Sequence, residues 1–433
     1  MQPDTSGIKF GPFWLTPKIS RKNAVTFFFS SFMFVTLVTF LNFLQPYILN
    51  EMLHVPVEQQ GAVTGGLSFF HEGTAFILMG LMGAWSDRTG RRLLMVTGLL
   101  IWAVGLAIYP LASSLLQLYA FRFVIAVGVA IASVMIIATM QDYPQEASRG
   151  KWGGFNSFVT SFAILFLSLA LVRLPGVFAA WGYDAEQAGR LTFWVGAGMT
   201  VFAAVVIRFG YFGGKIVSNP ETPSLFAGFI AGFAEARHNP RIALSYGSAF
   251  AARGDLVVVG AFFSLWFVRA GAEQGIESAD ALVRAGITMS ALLAATWIWA
   301  PTFGIILDRV NRISGLCFAM AMAAIGYAAI GMVSDPYDMS VMLPATFLLG
   351  IGEISAVVAG NALIGQEAPP RIRGAAVGVF GLVGTVGILF ATFIGGQLFD
   401  RLGYGAPFTM MAYVNGVIFV WALIVRIKAG TRP

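Results

Sequence analysis

Long runs of apolar residues, separated by short polar or charged stretches, fill almost the whole chain after its first two dozen positions. A helix that crosses a hydrocarbon core of ~30 Å needs ~20 apolar residues. Twelve runs meet this requirement and are predicted to span a membrane: Ala24–Leu49, Ala62–Trp85, Leu93–Ala112, Gln117–Met140, Trp152–Leu174, Leu191–Phe212, Arg241–Val268, Gly286–Leu307, Ser314–Val333, Val341–Gly365, Gly374–Leu398 and Pro407–Ile427. The first and seventh are long enough to tilt or to extend beyond the core.

Composition supports the prediction of a membrane protein and excludes several other classes of protein. The chain of 433 residues is 57% hydrophobic and 11% charged, which excludes a soluble globular domain and indicates a polytopic membrane protein. Its single cysteine, Cys317, excludes an intramolecular disulfide. The first apolar run is too long for the core of a signal peptide, so we expect no cleavable targeting segment.

The basic residues predict the orientation of these spans. Of the 27 Lys and Arg residues, 20 fall in the tails and loops of one side and 5 in the loops of the other, while Arg122 and Arg253 lie within spans. Because basic loops stay in the cytoplasm, both termini are predicted to be cytoplasmic, in the cell inner membrane. The net charge of +6 therefore reflects topology, and we expect a lipid bilayer but no nucleic acid as a partner.

Two charged hinges indicate an internal duplication. The stretch from Gly83 to Arg92, Gly-Ala-Trp-Ser-Asp-Arg-Thr-Gly-Arg-Arg, joins the second and third runs, and a near copy begins 221 residues later at Gly304. A second pair, Glu146–Gly150 and Pro370–Gly374, precedes the fifth and eleventh runs at an offset of 224. Parallel six-helix repeats of this kind place a substrate site at their interface, near the membrane midplane.

The hinge pattern G-x-x-x-D-R-x-G-R-R resembles the loop 2–3 signature of the major facilitator superfamily. The first copy matches every position, whereas the second has Asn311 in place of the glycine and lacks one arginine. The resemblance implies an all-α membrane protein with twelve transmembrane helices in two pseudo-symmetric six-helix bundles. The expected domains are a cytoplasmic tail (1–23), a first bundle (24–212), a cytoplasmic linker (213–240), a second bundle (241–427) and a short cytoplasmic tail (428–433).

The linker contains a semi-apolar stretch with helical spacing and a charged end, Leu225 to Arg237. This pattern favours an interfacial helix that joins the two bundles. A regulatory or partner-binding helix is the alternative.

The hinges predict a conformational switch. Asp87 and Asp308 lie at the cytoplasmic ends of the second and eighth spans, near the start of the eleventh and fifth, where unpaired N–H groups attract a carboxylate. Such a contact exists only while the cytoplasmic side is closed, so it favours the outward-open state. The resemblance implies the same role for Asp87. The predicted switch comprises Gly83, Asp87, Arg88, Gly90, Arg91, Arg92, Asp308 and Arg309, and plain topological anchoring is the alternative for its arginines.

Ionisable residues within the spans are candidates for function, because burying a charge in a membrane is costly. The candidates for proton coupling are Glu72, Glu353, Asp255 and His71, and the two glutamates are preferred as carriers. A static ion pair between Glu353 and Arg253 is the alternative, and for His71 a neutral, hydrogen-bonded ring is equally expected.

The candidates for substrate binding are Arg122, Arg253, Asn42, Asn361 and Tyr246. Arg253 and Asp255 are two positions apart and must face different sides of a helix, so we expect Arg253 to face the cavity, on one stripe with Tyr246. Arg122 resembles the family's fourth-helix arginine motif, which is linked to proton coupling or to anionic substrates, although Ala126 replaces the usual glycine. For Asn42 and Asn361, hydrogen bonding between helices is the alternative.

These residues predict a transporter rather than an enzyme. The three histidines do not cluster with Cys or carboxylates at metal spacing, there is no Walker loop, and no cofactor is expected beyond H⁺ as the coupling ion. We expect a monomeric secondary transporter that moves a small organic solute, an anion or zwitterion, by proton-coupled alternating access. One alternative is a proton antiporter that exports drugs or amphipathic compounds. Another is a channel or receptor, although the repeated hinge argues against a permanently open pore.

Overall fold

The computed structural model describes residues 7–214, 225–369 and 373–428. Nearly all of them are helical. The long helices are α1 (Arg21–Phe43), α3 (Gln60–Thr89), α4 (Arg91–Ile108), α5 (Leu115–Asp142), α6 (Arg149–Leu169), α8 (Ala185–Gly210), α10 (Pro240–Glu273), α11 (Ser278–Arg309), α12 (Arg312–Gly331), α13 (Met339–Glu367), α14 (Arg373–Leu402) and α15 (Ala406–Lys428). The shorter elements are α2 (Gln45–Tyr47), α7 (Leu174–Ala180), α9 (Leu225–His238) and a hairpin of β1 (Lys9–Phe10) and β2 (Phe13–Trp14).

Each of the twelve predicted spans coincides with one of the long helices. Among the described residues, eleven helical segments are long and apolar enough to cross a membrane by length and composition. The remaining predicted span, the second, is the 30-residue helix α3. The predicted all-α membrane fold is confirmed.

The first and fifth predicted spans lie within the candidate spans Arg21–Met52 and Lys151–Ala180, but proline interrupts the helix in each. The first span was predicted as one helix to Leu49, but α1 ends at Phe43 and α2 begins again with Pro46 in its first turn. In the fifth span α6 ends at Leu169, and Pro175 lies in the first turn of α7. Because proline has no N–H to donate and clashes with the preceding turn, it starts a new helix.

The described residues form two compact units. The first contains 7–54 and 70–214, and the second contains 55–69, 225–369 and 373–428. Helix α3 is therefore divided, since its first turns belong to the second unit and its remainder, from Phe70 onward, belongs to the first.

Glycine permits close helix contacts inside each unit. In the first unit, a Cβ at Gly128 of α5 would lie 2.5 Å from the backbone N of Trp102 in α4. In the second, a Cβ at Gly352 of α13 would lie 2.6 Å from the Cα of Ala323 in α12. Small residues allow such backbone approach between membrane helices.

The N-terminal residues 7–20 pack against the connection between α5 and α6. The Trp14 N–H donates to the Ser148 hydroxyl at 2.8 Å, and the Gln145 N–H donates to the Trp14 carbonyl at 2.9 Å. The Phe13 ring meets the buried Trp152 ring edge-on at 5.3 Å. The sequence predicted a tail here without any element, so the hairpin is a finding of the structure.

The predicted linker helix is present as α9, and it packs on two long helices of the second unit. A Cβ at Gly232 would lie 2.6 Å from Val379 Cγ2 of α14, and the Gly232 carbonyl accepts a hydrogen bond from the Tyr246 hydroxyl of α10 at 3.1 Å. An interfacial role for α9 remains a prediction.

Candidate functional site

The first hinge is a tight helix-to-helix turn. Helix α3 continues to Thr89 and α4 begins at Arg91, so Gly90 alone separates them. Its φ of 90° lies in the region that only glycine adopts readily. The glycine of the signature is therefore required by the backbone.

Arg91 joins this hinge to the end of α5. Its Nε lies 3.1 Å from Asp142 Oδ2, and its guanidinium also donates to the Ser86 hydroxyl. Arg92 lies beside Gly213, at the end of the first unit, where a Cβ would meet its guanidinium at 2.6 Å. Arg91 therefore has a local ion-pair partner, in addition to any contribution to topology.

The second hinge reaches its turn without glycine. Asn311 has φ −59°, and its side chain accepts the Ile313 N–H at 3.0 Å, capping α12. This explains why the second copy tolerates asparagine where the first has Gly90. Arg309 is exposed. The side chains of Gly83, Asp87, Arg88 and Asp308 lie outside the described part of the chain, so the switch remains a prediction.

In the first unit, four helical segments converge on Arg122 of α5. Arg122 is 2% exposed, and its Nη2 donates to Asn42 Oδ1 of α1 at 2.6 Å. The Tyr109 hydroxyl, at the end of α4, lies beside the guanidinium and donates to Gln45 Oε1 of α2. The sequence therefore named two members of one cluster, Arg122 and Asn42.

His71 and Glu72 of α3 border the same guanidinium. His71 is buried and Glu72 half-buried, and both interact electrostatically with Arg122. Because an arginine stays charged inside a protein, the cluster contains a permanent buried cation that requires a counter-charge. Glu72 supplies part of it.

The first-unit cluster contains more hydrogen-bond donors than it uses. Arg122 Nε and Nη1 and Gln45 Nε2 are buried and have no hydrogen-bond partner among the described residues. His71 Nδ1, which is a donor or an acceptor according to the tautomer, is also buried without a partner among these residues. Buried donors are normally paired, and leaving one unpaired costs about 1–3 kcal/mol. An anionic group would satisfy these donors.

In the second unit, four helices converge on a pair of carboxylates. Asp255 of α10 is fully buried, and Glu353 of α13 is 8% exposed and interacts electrostatically with it. The Asn415 amide of α15 donates to both Asp255 oxygens, at 2.9 and 3.1 Å. The buried Tyr327 of α12 interacts electrostatically with both carboxylates.

The second-unit cluster, in contrast, contains more hydrogen-bond acceptors than it uses. Glu353 Oε2 and Asn415 Oδ1 are buried acceptors without a partner among the described residues, and the Tyr327 hydroxyl is also unpaired. Two carboxylates buried near each other repel, and a bound proton or small cation relieves that repulsion. The cluster is therefore built to receive positive charge.

Arg253 lies apart from these carboxylates. It is exposed whereas Asp255 is buried, as the two-residue spacing predicted. Its side chain lies against Gly384 of α14. Within the described ranges Arg253 forms no ion pair, so the alternative of a static pair with Glu353 is not observed.

Tyr246 and Asn361 are not brought to either cluster. Tyr246 is 5% exposed and hydrogen-bonded to α9, so it does not share an exposed stripe with Arg253. Asn361 is exposed and donates to the Val357 carbonyl of its own helix at 2.8 Å. Their roles in substrate binding remain predictions.

Sequence reasoning missed Tyr109, Tyr327 and Asn415. Tyr109 lies near the end of the third predicted span and the others lie in the ninth and twelfth, without a charged neighbour to single them out. A uniform search for every polar group deep in a span, rather than for charges alone, would have found Tyr327 and Asn415.

Long apolar helices and a repeated charged hinge indicate a multi-pass integral membrane protein. A family model described as Major Facilitator Superfamily matches residues 27–391 and 281–433. The chain belongs to this superfamily.

Individual proteins agree with this assignment. Magnetosome protein MamH of Paramagnetospirillum magneticum is 26% identical over 416 residues, which cover 94% of this chain and 92% of MamH. Magnetosome protein MamZ of the same organism is 27% identical, but the match covers 88% of this chain and only 59% of MamZ. The crystal structure of the nucleoside transporter NupG superposes with a TM-score of 0.68 at 13% identity, covering 94% of this chain and 99% of NupG. This similarity shows the fold alone.

Proposed function

We propose that the protein is a secondary active transporter that moves a small organic anion or zwitterion by proton-coupled alternating access. Arg122 binds the anionic group of the substrate in the first unit. The Asp255–Glu353 pair carries the coupling proton in the second unit. No cofactor takes part in this proposal.

The observation that carries the proposal is the opposite imbalance of the two buried clusters. Among the described residues, Arg122 and Gln45 have N–H groups without an acceptor, and Glu353 and Asn415 have oxygens without a donor. Each imbalance costs free energy as long as it is not satisfied. A ligand that supplies an anion to one cluster and a proton to the other would remove both costs.

Arginine suits an anionic substrate because its planar guanidinium donates in a fixed fork that matches a carboxylate or phosphate. Asn42 and Gln45 orient this fork and the neighbouring Tyr109 hydroxyl. Glu72 competes with the substrate for the same cation, so its protonation would favour substrate binding. Glu72 is therefore the second candidate for proton coupling.

A ligand screen tests the substrate class. Purified protein is heated with organic acids, amino acids, sugars, nucleosides and cationic dyes, and the melting temperature is recorded. We expect the acids or amino acids to raise the melting temperature, since a ligand that binds only the folded state stabilises it. Stabilisation by dyes alone would support the drug-exporting alternative and contradict the proposal.

We also propose that the protein is a monomer in the inner membrane, with both termini in the cytoplasm. Cysteines placed at the exposed Gln187 and Gln274 should react with an impermeant reagent from outside intact cells, and one at Ser218 should not. Labelling at Ser218 would contradict this topology. Because two relatives are named magnetosome proteins, a fluorescent fusion should also be examined for localisation to magnetosomes.

A further inference from the structure

An apolar groove lies at one end of the second unit, where α12 and α14 end and α15 begins. Its volume is about 860 Å³, which is in the range of pockets that hold small-molecule ligands. Leu398 and Leu402 of α14 line it together with a stripe of α15 that runs from Ala406 to Ile418. Every lining residue belongs to the second unit, so the groove is complete within that unit.

Close backbone packing at the helix ends makes this surface concave. A Cβ at Gly405 would lie 2.3 Å from the Gly331 carbonyl oxygen, so the connection between α14 and α15 lies directly on the end of α12. Leu402 and Tyr413, two large side chains that also line the groove, are exposed. Small residues beside large exposed ones produce a groove rather than a flat lipid-facing surface.

The groove has about the length of one membrane leaflet. Its stripe on α15, from Ala406 to Ile418, covers ~18 Å at ~1.5 Å per residue. One leaflet contributes half of a hydrocarbon core of ~30 Å, or ~15 Å. The polar lining residues Ser334 and Tyr404 lie at the end where the helices stop, whereas the lining residues furthest along α15, Val417 and Ile418, are apolar.

Two hydrogen-bond donors beside the groove have no partner among the described residues. Arg401, in the last turn of α14, is exposed and forms no ion pair within the described ranges. It follows the lining residue Leu398 by three positions, so the two are neighbours on the helix surface. Trp266 of α10 lines the groove and is fully buried, and its indole N–H lacks an acceptor. Both donors call for a ligand that carries oxygen atoms as well as an apolar chain.

We propose that the groove binds one phospholipid of the surrounding bilayer, with an acyl chain along α15 and the phosphate beside Arg401. The apolar lining and its length match an acyl chain, and an exposed guanidinium matches a phosphate group. The ester oxygens of the lipid supply the acceptor that the Trp266 N–H lacks. A lipid held in this way differs from those that merely cover the protein, because it binds saturably and selects for its phosphate.

Photo-crosslinking of the purified protein in maltoside detergent tests this site. The probe is a phospholipid with a diazirine near the end of one acyl chain, and the labelled positions are mapped by mass spectrometry of peptides. Labelling should be saturable and centred on Val417 and Ile418. Unlabelled phospholipid should displace the probe at a concentration about tenfold lower than a diacylglycerol with the same chains, since a hydrogen bond to a charged group is worth about that factor.

Matched variants separate the two parts of the ligand. Met410→Trp places a larger side chain in the lining and should strongly reduce labelling, whereas Ile325→Trp, at an exposed position of α12 outside the groove, should not. Arg401→Gln should remove the preference for phospholipid over diacylglycerol, and Arg401→Lys should keep most of it. Because Arg401 is exposed, its variants should fold, and size-exclusion chromatography checks this for all four.

Ordinary lipid contact would give a different result. Labelling that rises without saturation, or that reaches the exposed face of α12 around Ile325 equally, would overturn the site. Equal displacement by phospholipid and diacylglycerol would show that any alkyl chain fills the groove, and would overturn the assignment of a phospholipid. The assay measures no transport, so its outcome is independent of the proposed function.

Discussion

The buried clusters of the two units differ in the sign of the charge they can accept. Within the part of the chain that the structure describes, N–H donors around Arg122 in the first unit lack acceptors, whereas acceptor oxygens around Asp255 and Glu353 in the second lack donors. The repeated hinges indicate that both units derive from one duplicated pattern. A few side chains, rather than a different arrangement of helices, therefore account for the opposite chemistry.

A comparison of equivalent positions in α3 and α11 shows that the side chains differ. In the first unit, α3 carries His71 and Glu72 upstream of its hinge. At the same hinge offset of 221 residues, α11 carries Leu292 and Leu293, which are both buried. The ionisable pair is present in one copy only.

The largest expected effect comes from removing the cation of the first unit. Arg122→Gln should weaken binding of the anion that stabilises the protein in the ligand screen by about 100-fold or more, since a buried charged hydrogen bond costs about 2–5 kcal/mol to truncate. Calorimetric titration of the purified variant measures the affinity.

Arg122→Lys is the matched variant, because it keeps the charge but loses the planar fork. It should recover part of the affinity. Wild-type affinity in Arg122→Gln, with correct folding by size-exclusion chromatography, would show that the first-unit cluster does not bind the anion.

A smaller effect is expected from removal of the Tyr327 hydroxyl in the second-unit cluster. Tyr327→Phe should leave stability unchanged or raise it by about 1 kcal/mol, because the buried hydroxyl has no hydrogen-bond partner among the described residues. If the hydroxyl contacts the coupling proton, the pH dependence of transport should shift nonetheless. Transport against external pH and thermal melting are measured on one preparation. An unchanged pH profile would show that Tyr327 does not contact the coupling proton. Tyr337→Phe, at a tyrosine outside the spans, serves as the control.

Substitution of the hinge carboxylates should show whether the two hinges contribute equally to the conformational balance. Asp87→Asn should shift the population towards the inward-open state by about 1 kcal/mol, typical of a charge at a helix terminus. Transport should fall while substrate binding survives. Spin-label distances report the population, with Asp308→Asn as the equivalent change in the second unit. Loss of binding with an unchanged population would place Asp87 in the substrate site instead.

The smallest expected effects are changes in stability on substitution in the turns of the two hinges. Gly90→Ala should destabilise the protein by about 1 kcal/mol, because a φ of 90° strains any residue with a Cβ. Asn311→Gly should cost only a few tenths of a kcal/mol, since glycine remains an acceptable N-cap. Melting temperatures in detergent test both. Equal costs would mean that the two turns are equivalent despite their different φ angles.

The sequence predicted the fold well because hydropathy and length suffice for membrane helices. It also predicted that Arg253 and Asp255 would face different sides, which follows from helical geometry alone. It did not predict the interruptions at Pro46 and Pro175 inside two otherwise correct spans, nor the N-terminal hairpin. That hairpin depends on contacts with Gln145 and Ser148, more than 100 residues away, which no local pattern encodes.

The candidate site was only partly predictable for a similar reason. Charged residues such as Arg122 and Glu353 stand out in an apolar run, but their partners do not. Tyr109 and Asn415 join the clusters only through tertiary packing, and the placement of Tyr246 against α9 was equally invisible. Spacing along a helix predicts a face, whereas the neighbour across that face depends on the fold.

The division of roles between the two units is tested most directly by transport in proteoliposomes. Gradient-driven uptake and counterflow exchange of the same anion are measured for Arg122→Gln and Glu353→Gln. Arg122→Gln should lose both activities, because it cannot bind substrate. Glu353→Gln should lose uptake driven by a pH gradient but retain counterflow, since exchange needs no net movement of protons. Full gradient-driven uptake in Glu353→Gln, or retained counterflow in Arg122→Gln, would contradict the assignment of the anion to the first unit and the proton to the second.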